Sequence, residues 1–174
     1  MLSRQMIVWR GSRVLARREA AFVRLGHPER VRELALRLGR ALNLSAAELD
    51  ALGQAALLHD LGRTLLPPGA DEKKHPRVAA ELLKGQPLPP GTLTAILHHR
   101  ERWDGRGYPH GLRGLQIPKL ARVLAIANAA DHLGNLPTEM LTVRLARMRG
   151  LALDPELVNV YLELLENKHS LPRV

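Results

Sequence analysis

Seven polar residues, His27, His59, Asp60, His75, His98, His99 and Asp104, fall at expected helix boundaries or on inward-facing stripes. Imidazole nitrogen and carboxylate oxygen form a donor set suited to Fe, Mn, Ni or Zn, with Mg a weaker candidate because of the histidines. The chain has no cysteine, which excludes disulfides, thiolate metal sites and a cysteine nucleophile. The adjacent pair His59-Asp60 is the most telling. Side chains one position apart on a helix differ in direction by about 100°, so two ions in the wedge between them could each take a ligand, with the carboxylate bridging.

The elements that must position these groups read as helices almost throughout. Ala and Leu dominate, β-branched and aromatic residues are sparse, and no strand-like alternation occurs. The pattern predicts a helix over Ser12 to Leu25 stopped by Gly26. Pro28 then suits the first turn of a helix carrying Val31, Leu34, Ala35 and Leu38, with His27 at its start. Ser45 and Glu48 form a capping box for a helix with Leu49, Leu52, Ala56 and His59 on one stripe, which turns His59 inward. His75-Pro76 opens a short helix through Lys84 closed by Gly85. Helices are further expected over Thr92 to Arg100, Pro118 to Leu133, Glu139 to Arg149 and Pro155 to Asn167, with Thr138 and Asp154 as N-caps of the last two. On the Pro118 helix, Leu120, Leu124, Ala127 and Asp131 share a face and Asn128 adjoins it. The fold class is therefore all-α, a single-domain bundle of about seven to eight helices around a central His/Asp site. Residues 1–12 read as an N-terminal extension and 13–174 as the domain.

Composition narrows the partners without choosing one. With 26 Lys and Arg against 17 Asp and Glu, the formal charge of the 174-residue chain is +9, which favours anionic ligands. Two Trp, two Tyr and one Phe leave little for base stacking, and no basic tail occurs, so specific nucleic-acid binding is not expected. The apolar runs are too short to span a bilayer and none resembles a signal peptide, which makes the cytoplasm the expected location and a membrane role unexpected.

Three segments carry a family resemblance: "LLHDLGR", "HPRVAAELL" and "WDGRGYPHGLRGLQIPKLARVLAIA". Together they resemble the HD-GYP group of the HD-domain metal-dependent phosphohydrolase superfamily, bacterial enzymes that linearise cyclic di-GMP. The likeness runs from about His27 to Leu165, with "HPERV" similar to the family's first histidine motif. It implies an all-α bundle and metal-assisted hydrolysis of a phosphodiester by two cations. Carried over by position, His27, His59 and Asp60 would be ligands, Asp60 bridging, and His75 and His99 would be ligands of the second metal. The implied cofactor is a divalent metal, Fe, Mn or Zn. Asp104, Gly105, Gly107, Tyr108 and Pro109 would form the loop that meets substrate or partner, for which a cyclic dinucleotide or other phosphate ester and a diguanylate cyclase domain are the candidates.

The sequence also departs from the family pattern. Counting back from Trp103 and Asp104 puts Arg100 where a second-metal histidine is expected, and a guanidinium stays protonated and cannot ligate a cation. A one-residue bulge at the helix end would instead restore His98-His99 as the pair. Asn128 stands at the ligand aspartate, Arg63 replaces a lysine, and the arginine-rich stretch after His132 that would contact cyclic di-GMP is missing. The losses weaken the second metal site, so one or two ions are expected. Asp60, Arg63 and Arg100 become the catalytic candidates, His27, His59, Asp60, His75, His99 and more weakly Asn128 the metal ligands. Two readings follow: an HD-GYP-type phosphohydrolase with altered or weakened activity, or a non-catalytic signalling module in which Arg63 and Arg100 hold a nucleotide phosphate.

Overall fold

The computed structural model describes residues 26–167. The helix expected over Ser12 to Leu25 and the boundary expected at residue 12 lie outside them. Among the described residues there are seven α-helices and no strand: α1 His27–Ala41, α2 Ala46–Leu58, α3 His75–Leu83, α4 Thr92–His98, α5 Lys119–Leu133, α6 Thr138–Met148 and α7 Pro155–Asn167. None of them is long and apolar enough to cross a membrane.

The sequence sets most of these boundaries through identifiable chemistry. Pro28 occupies the first turn of α1, where its missing N–H costs nothing. Ser45 and Glu48 close the capping box of α2 in both directions. Asp154 Oδ1 accepts the backbone N–H groups of Glu156 and Leu157 at 2.9 and 3.2 Å, which makes it the N-cap of α7. Thr138 does not cap α6. Pro137 takes the N-cap position and Thr138 is already helical, because the extended backbone before the helix is the one proline prefers.

α1 packs against α2 and α5, α2 and α5 both receive α4, and α3 lies on α4 and on the short 3-10 turn Leu61–Leu65. The core is aliphatic and closes around Leu38, Leu52, Ile96, Leu124, Leu145 and Val158, all without solvent exposure. Burying side chains of this size stabilises by about 1.5–3 kcal/mol each before entropy is counted. Small residues let the helices approach: Ala35, Ala55, Ala56, Ala95 and Ala127 are all fully buried. The consequence for function is a set of helix ends, those of α1, α2, α3 and α4, held rigidly around one point.

Candidate metal centre

Four histidines at those helix ends are buried. His27 is the first residue of α1, His59 the C-cap of α2, His75 the first residue of α3, and His99 the C-cap of α4. Asp60 follows His59 directly and sits among them at 8% exposure. Gly62 makes the approach of α3 possible, since a Cβ at that position would lie 2.0 Å from the His75 carbonyl oxygen.

The ring orientations are fixed from outside. His59 Nδ1 donates to the Ala56 carbonyl at 2.8 Å, His75 Nδ1 to the Glu72 carbonyl at 2.6 Å, and His99 Nδ1 to the Ile96 carbonyl at 2.7 Å. A carbonyl accepts only, so each of these imidazoles carries its proton on Nδ1 and, when neutral, a lone pair on Nε2. His27 Nδ1 donates to Asp131 Oδ2 at 2.6 Å, and Arg30 holds the other Asp131 oxygen at 2.6 Å. This carboxylate-to-histidine support is the arrangement that fixes ligand imidazoles in metal sites.

The Nε2 atoms converge on Asp60. His75 Nε2 and His99 Nε2 lie 3.3 and 3.7 Å from Asp60 Oδ1 and 3.3 Å from each other, while His59 Nε2 is 3.6 Å from Asp60 Oδ2. Lone pairs crowded against a carboxylate repel unless positive charge lies among them. Two donor groups result, each with its atoms within 4.8 Å of one another: His27, His59 and Asp60, and Asp60, His75 and His99. The structure thus gathers five of the sequence-expected ligands around one carboxylate that both groups share.

Burial lowers His59 to about 3 and His99 to about 4, the latter with added repulsion from Arg100 and against the pull of Asp60. Both imidazoles are therefore neutral and ready to donate a lone pair at physiological pH.

The residues fit a divalent ion best at the first group. His59 Nε2, Arg63 Nε and Asn128 Oδ1 are buried without a hydrogen-bond partner, and of these His59 Nε2 is the lone-pair donor within the first group. Asn128 lies on the stretch of α5 that carries Asp131 and His132, and both of those touch His27, His132 by ring packing at 5.1 Å. The second group is already engaged. Arg100 Nε donates to His99 Nε2 at 3.1 Å, its NH2 lies 3.5 Å from Asp60 Oδ1, and Arg63 Nε lies 3.0 Å from the same oxygen. Two guanidinium groups bring positive charge to the side of Asp60 where a second ion would sit.

The one-residue bulge that would pair His98 with His99 is not formed. α4 stops at His98, the Glu101 N–H donates to the His98 carbonyl, and His98 points away from Asp60 toward His110. Glu101, Asp131 and His132 carry roles the sequence reading did not assign. Glu101 is buried and its two oxygens accept the backbone N–H groups of His110 and Leu112 at 2.7 and 3.1 Å, pinning the loop. Its place in the run His99-Arg100-Glu101 was the available signal; nothing in sequence spacing could reveal that Asp131 meets a histidine 104 positions away.

The loop residues form a stitched turn beside the centre. Asp104 takes a fork from Arg102 at 3.0 and 2.6 Å, and its N–H donates to the Leu151 carbonyl. Gly107 passes so close to the preceding chain that a Cβ would lie 2.3 Å from the Arg102 nitrogen. Gly105 adopts a positive φ of 79°, the Tyr108-Pro109 peptide is cis, and the Tyr108 ring stands edge-on to His75 at 6.2 Å.

A family model described as HD domain matches residues 11–147. The chain belongs to the HD-domain family. Its relatives include the cyclic di-GMP phosphodiesterase response regulator RpfG of Xanthomonas campestris, 40% identical over 121 residues that cover 60% of this chain and 32% of that protein. The chain spans less than half the length of the curated relatives it matches. In fold it is similar to a cyclic GMP-AMP specific phosphodiesterase of Vibrio cholerae, with a TM-score of 0.71 at 19% identity over 82% of this chain and 44% of that one. It is also similar to an HD-GYP protein of Bdellovibrio bacteriovorus, with a TM-score of 0.67 at 24% identity over 80% of this chain and 51% of that one. The HD dipeptide of this chain is His59-Asp60, and a Gly-Tyr-Pro tripeptide stands at Gly107-Tyr108-Pro109.

Proposed function

We propose that this domain is a metal-dependent phosphodiesterase acting on a cyclic dinucleotide, with one firmly held divalent ion at His27, His59, Asp60 and Asn128. The observation that carries this reading is the convergence of buried imidazole Nε2 atoms on Asp60, with His59 Nε2 and Asn128 Oδ1 left without protein partners. A divalent ion of the Fe, Mn or Zn kind held there supplies Lewis-acid polarisation of a phosphoryl oxygen. The protein's own groups do the rest. Arg100 and Arg63 keep fixed positive charge beside Asp60, where they can bind a non-bridging phosphate oxygen and stabilise the charge that grows on it. Tyr108, edge-on to His75, stands beside the groups that would meet the substrate. The names of the relatives support cyclic di-GMP and cyclic GMP-AMP as the substrates to try.

A second reading is favoured by one contact. Arg100 donates into His99 Nε2 and so occupies a lone pair that a second ion would need. A domain with that group permanently engaged could serve as a nucleotide-binding module, or dock a diguanylate cyclase domain through the loop whose Leu115 stands 77% exposed. The two readings separate on incubation of Mn- or Fe-loaded protein with cyclic di-GMP and with cyclic GMP-AMP, followed by chromatography. Linear dinucleotide or mononucleotide supports the enzyme; binding without product supports the module.

A further inference from the structure

His98, turned away from Asp60, enters a separate cluster of its own. His98 Nδ1 donates to the Thr94 carbonyl at 2.9 Å, which leaves Nε2 as its lone-pair nitrogen. That Nε2 lies 3.1 Å from His110 Nδ1, and His98, Glu101 and His110 each offer a ligand atom within 4.8 Å of the others. Tetrahedral ligands at the Zn–N distance of about 2.0–2.1 Å stand about 3.3 Å apart, so the two nitrogens already have the spacing of a shared ion.

Glu101 supplies an independent observation. At 3% exposure it is a buried carboxylate, and among the described residues none of the arginine ion pairs reaches it, these running to Asp60, Glu72, Asp104, Asp131 and Asp154. Its oxygens accept two backbone N–H groups and keep further lone pairs. A buried carboxylate without a countercharge is costly, and a cation among the three donors would remove that cost.

We infer that His98, Glu101 and His110 form a divalent-cation site distinct from the Asp60 centre, of the zinc type, with two imidazoles, one carboxylate and an open position. Two of its ligands lie at the end of α4 beside His99 and the third lies in the loop, so an ion there clips the loop to the helix that carries His99. The site does not depend on hydrolysis, and its presence is read without it.

The test uses the full chain, stripped with chelator and reloaded with Zn2+, with the bound metal counted after desalting. His98→Ala and His110→Ala are each expected to bind one Zn2+ fewer than the unmodified chain, whereas His59→Ala keeps this ion and loses another. Both substitutions fall on partly or fully exposed residues, and circular dichroism checks the fold; His110→Asn provides a milder variant. As a second readout, Zn2+ should slow trypsin cleavage at the exposed Arg106 and Arg113 at least fivefold in the unmodified chain and not in His110→Ala. Equal zinc content in all three proteins overturns the inference, as does loss in only one of the two histidine variants.

Discussion

The Nε–H of Arg100 points at Nε2 of His99, 3.1 Å away, from the position next in sequence. A neutral imidazole whose Nδ1 is tied to the Ile96 carbonyl has one lone pair to give, and Arg100 receives it. Asp60, His75 and His99 thus present ligand geometry while a guanidinium supplies the charge.

Replacing that guanidinium should therefore change metal stoichiometry. Arg100→His combined with Asn128→Asp returns an imidazole and a carboxylate to the centre and is expected to raise bound Mn or Fe by one equivalent, measured by elemental analysis after desalting. Unchanged content would mean that Arg100 does not stand in the way of an ion.

Asp131 should act through His27. Asp131→Asn keeps the shape but loses the charge that orients the imidazole and pairs with Arg30. Loss of such support typically costs 10–100-fold in metal affinity, and about tenfold is expected here with the fold intact. The check is a competition titration against a chromophoric chelator; an unaltered affinity would remove Asp131 from the account.

Gly62→Ala should destabilise the chain through packing alone. Its Cβ would lie 2.0 Å from the His75 carbonyl oxygen and 2.9 Å from the Ala79 nitrogen, both backbone atoms that move only with α3. A cost of about 1–3 kcal/mol is expected from such overpacking, visible as a lower thermal midpoint and a loss of metal affinity together. Gly85→Ala serves as the contrast, because nothing lies near its Cβ and only its positive φ of 78° opposes the change.

The loop turn should carry an acid signature. A side-chain hydrogen bond from Arg102, with the Arg106 N–H adding to it and slight burial opposing, holds Asp104 at about 2, below its ordinary 3.8. A depressed carboxylate contributes stability that is fully present above the unfolded value and is lost as pH falls through the folded one. The difference in thermal midpoint between the unmodified chain and Asp104→Asn should stay constant down to about pH 4 and shrink toward pH 2. A difference that grows on acidification would contradict the pairing.

Much of this architecture was legible in the sequence. The Ser45-Glu48 box, Pro28, Gly85 and Asp154 are local signals whose chemistry does not depend on distant residues, and each lies where it was expected. His27 and His75 are expected at helix starts and His59 on an inward-facing stripe, and the structure brings all three together with Asp60 and His99. The sequence could not say which way His98 turns, because neighbouring side chains at a helix end diverge by about 100° and one residue of slippage exchanges them. It also misplaced the cap of α6, where Thr138 looked suitable and Pro137 is used instead. The support of His27 by Asp131, and of the loop by Glu101, arises from pairings that only the packed chain defines.

The most direct measurement is product chromatography of cyclic di-GMP and cyclic GMP-AMP after incubation with the Mn- or Fe-loaded chain, run beside His59→Ala. The account predicts linear dinucleotide or mononucleotide from the unmodified chain and at least a hundredfold less from the variant. Intact cyclic dinucleotide from both, or equal turnover by both, would contradict it.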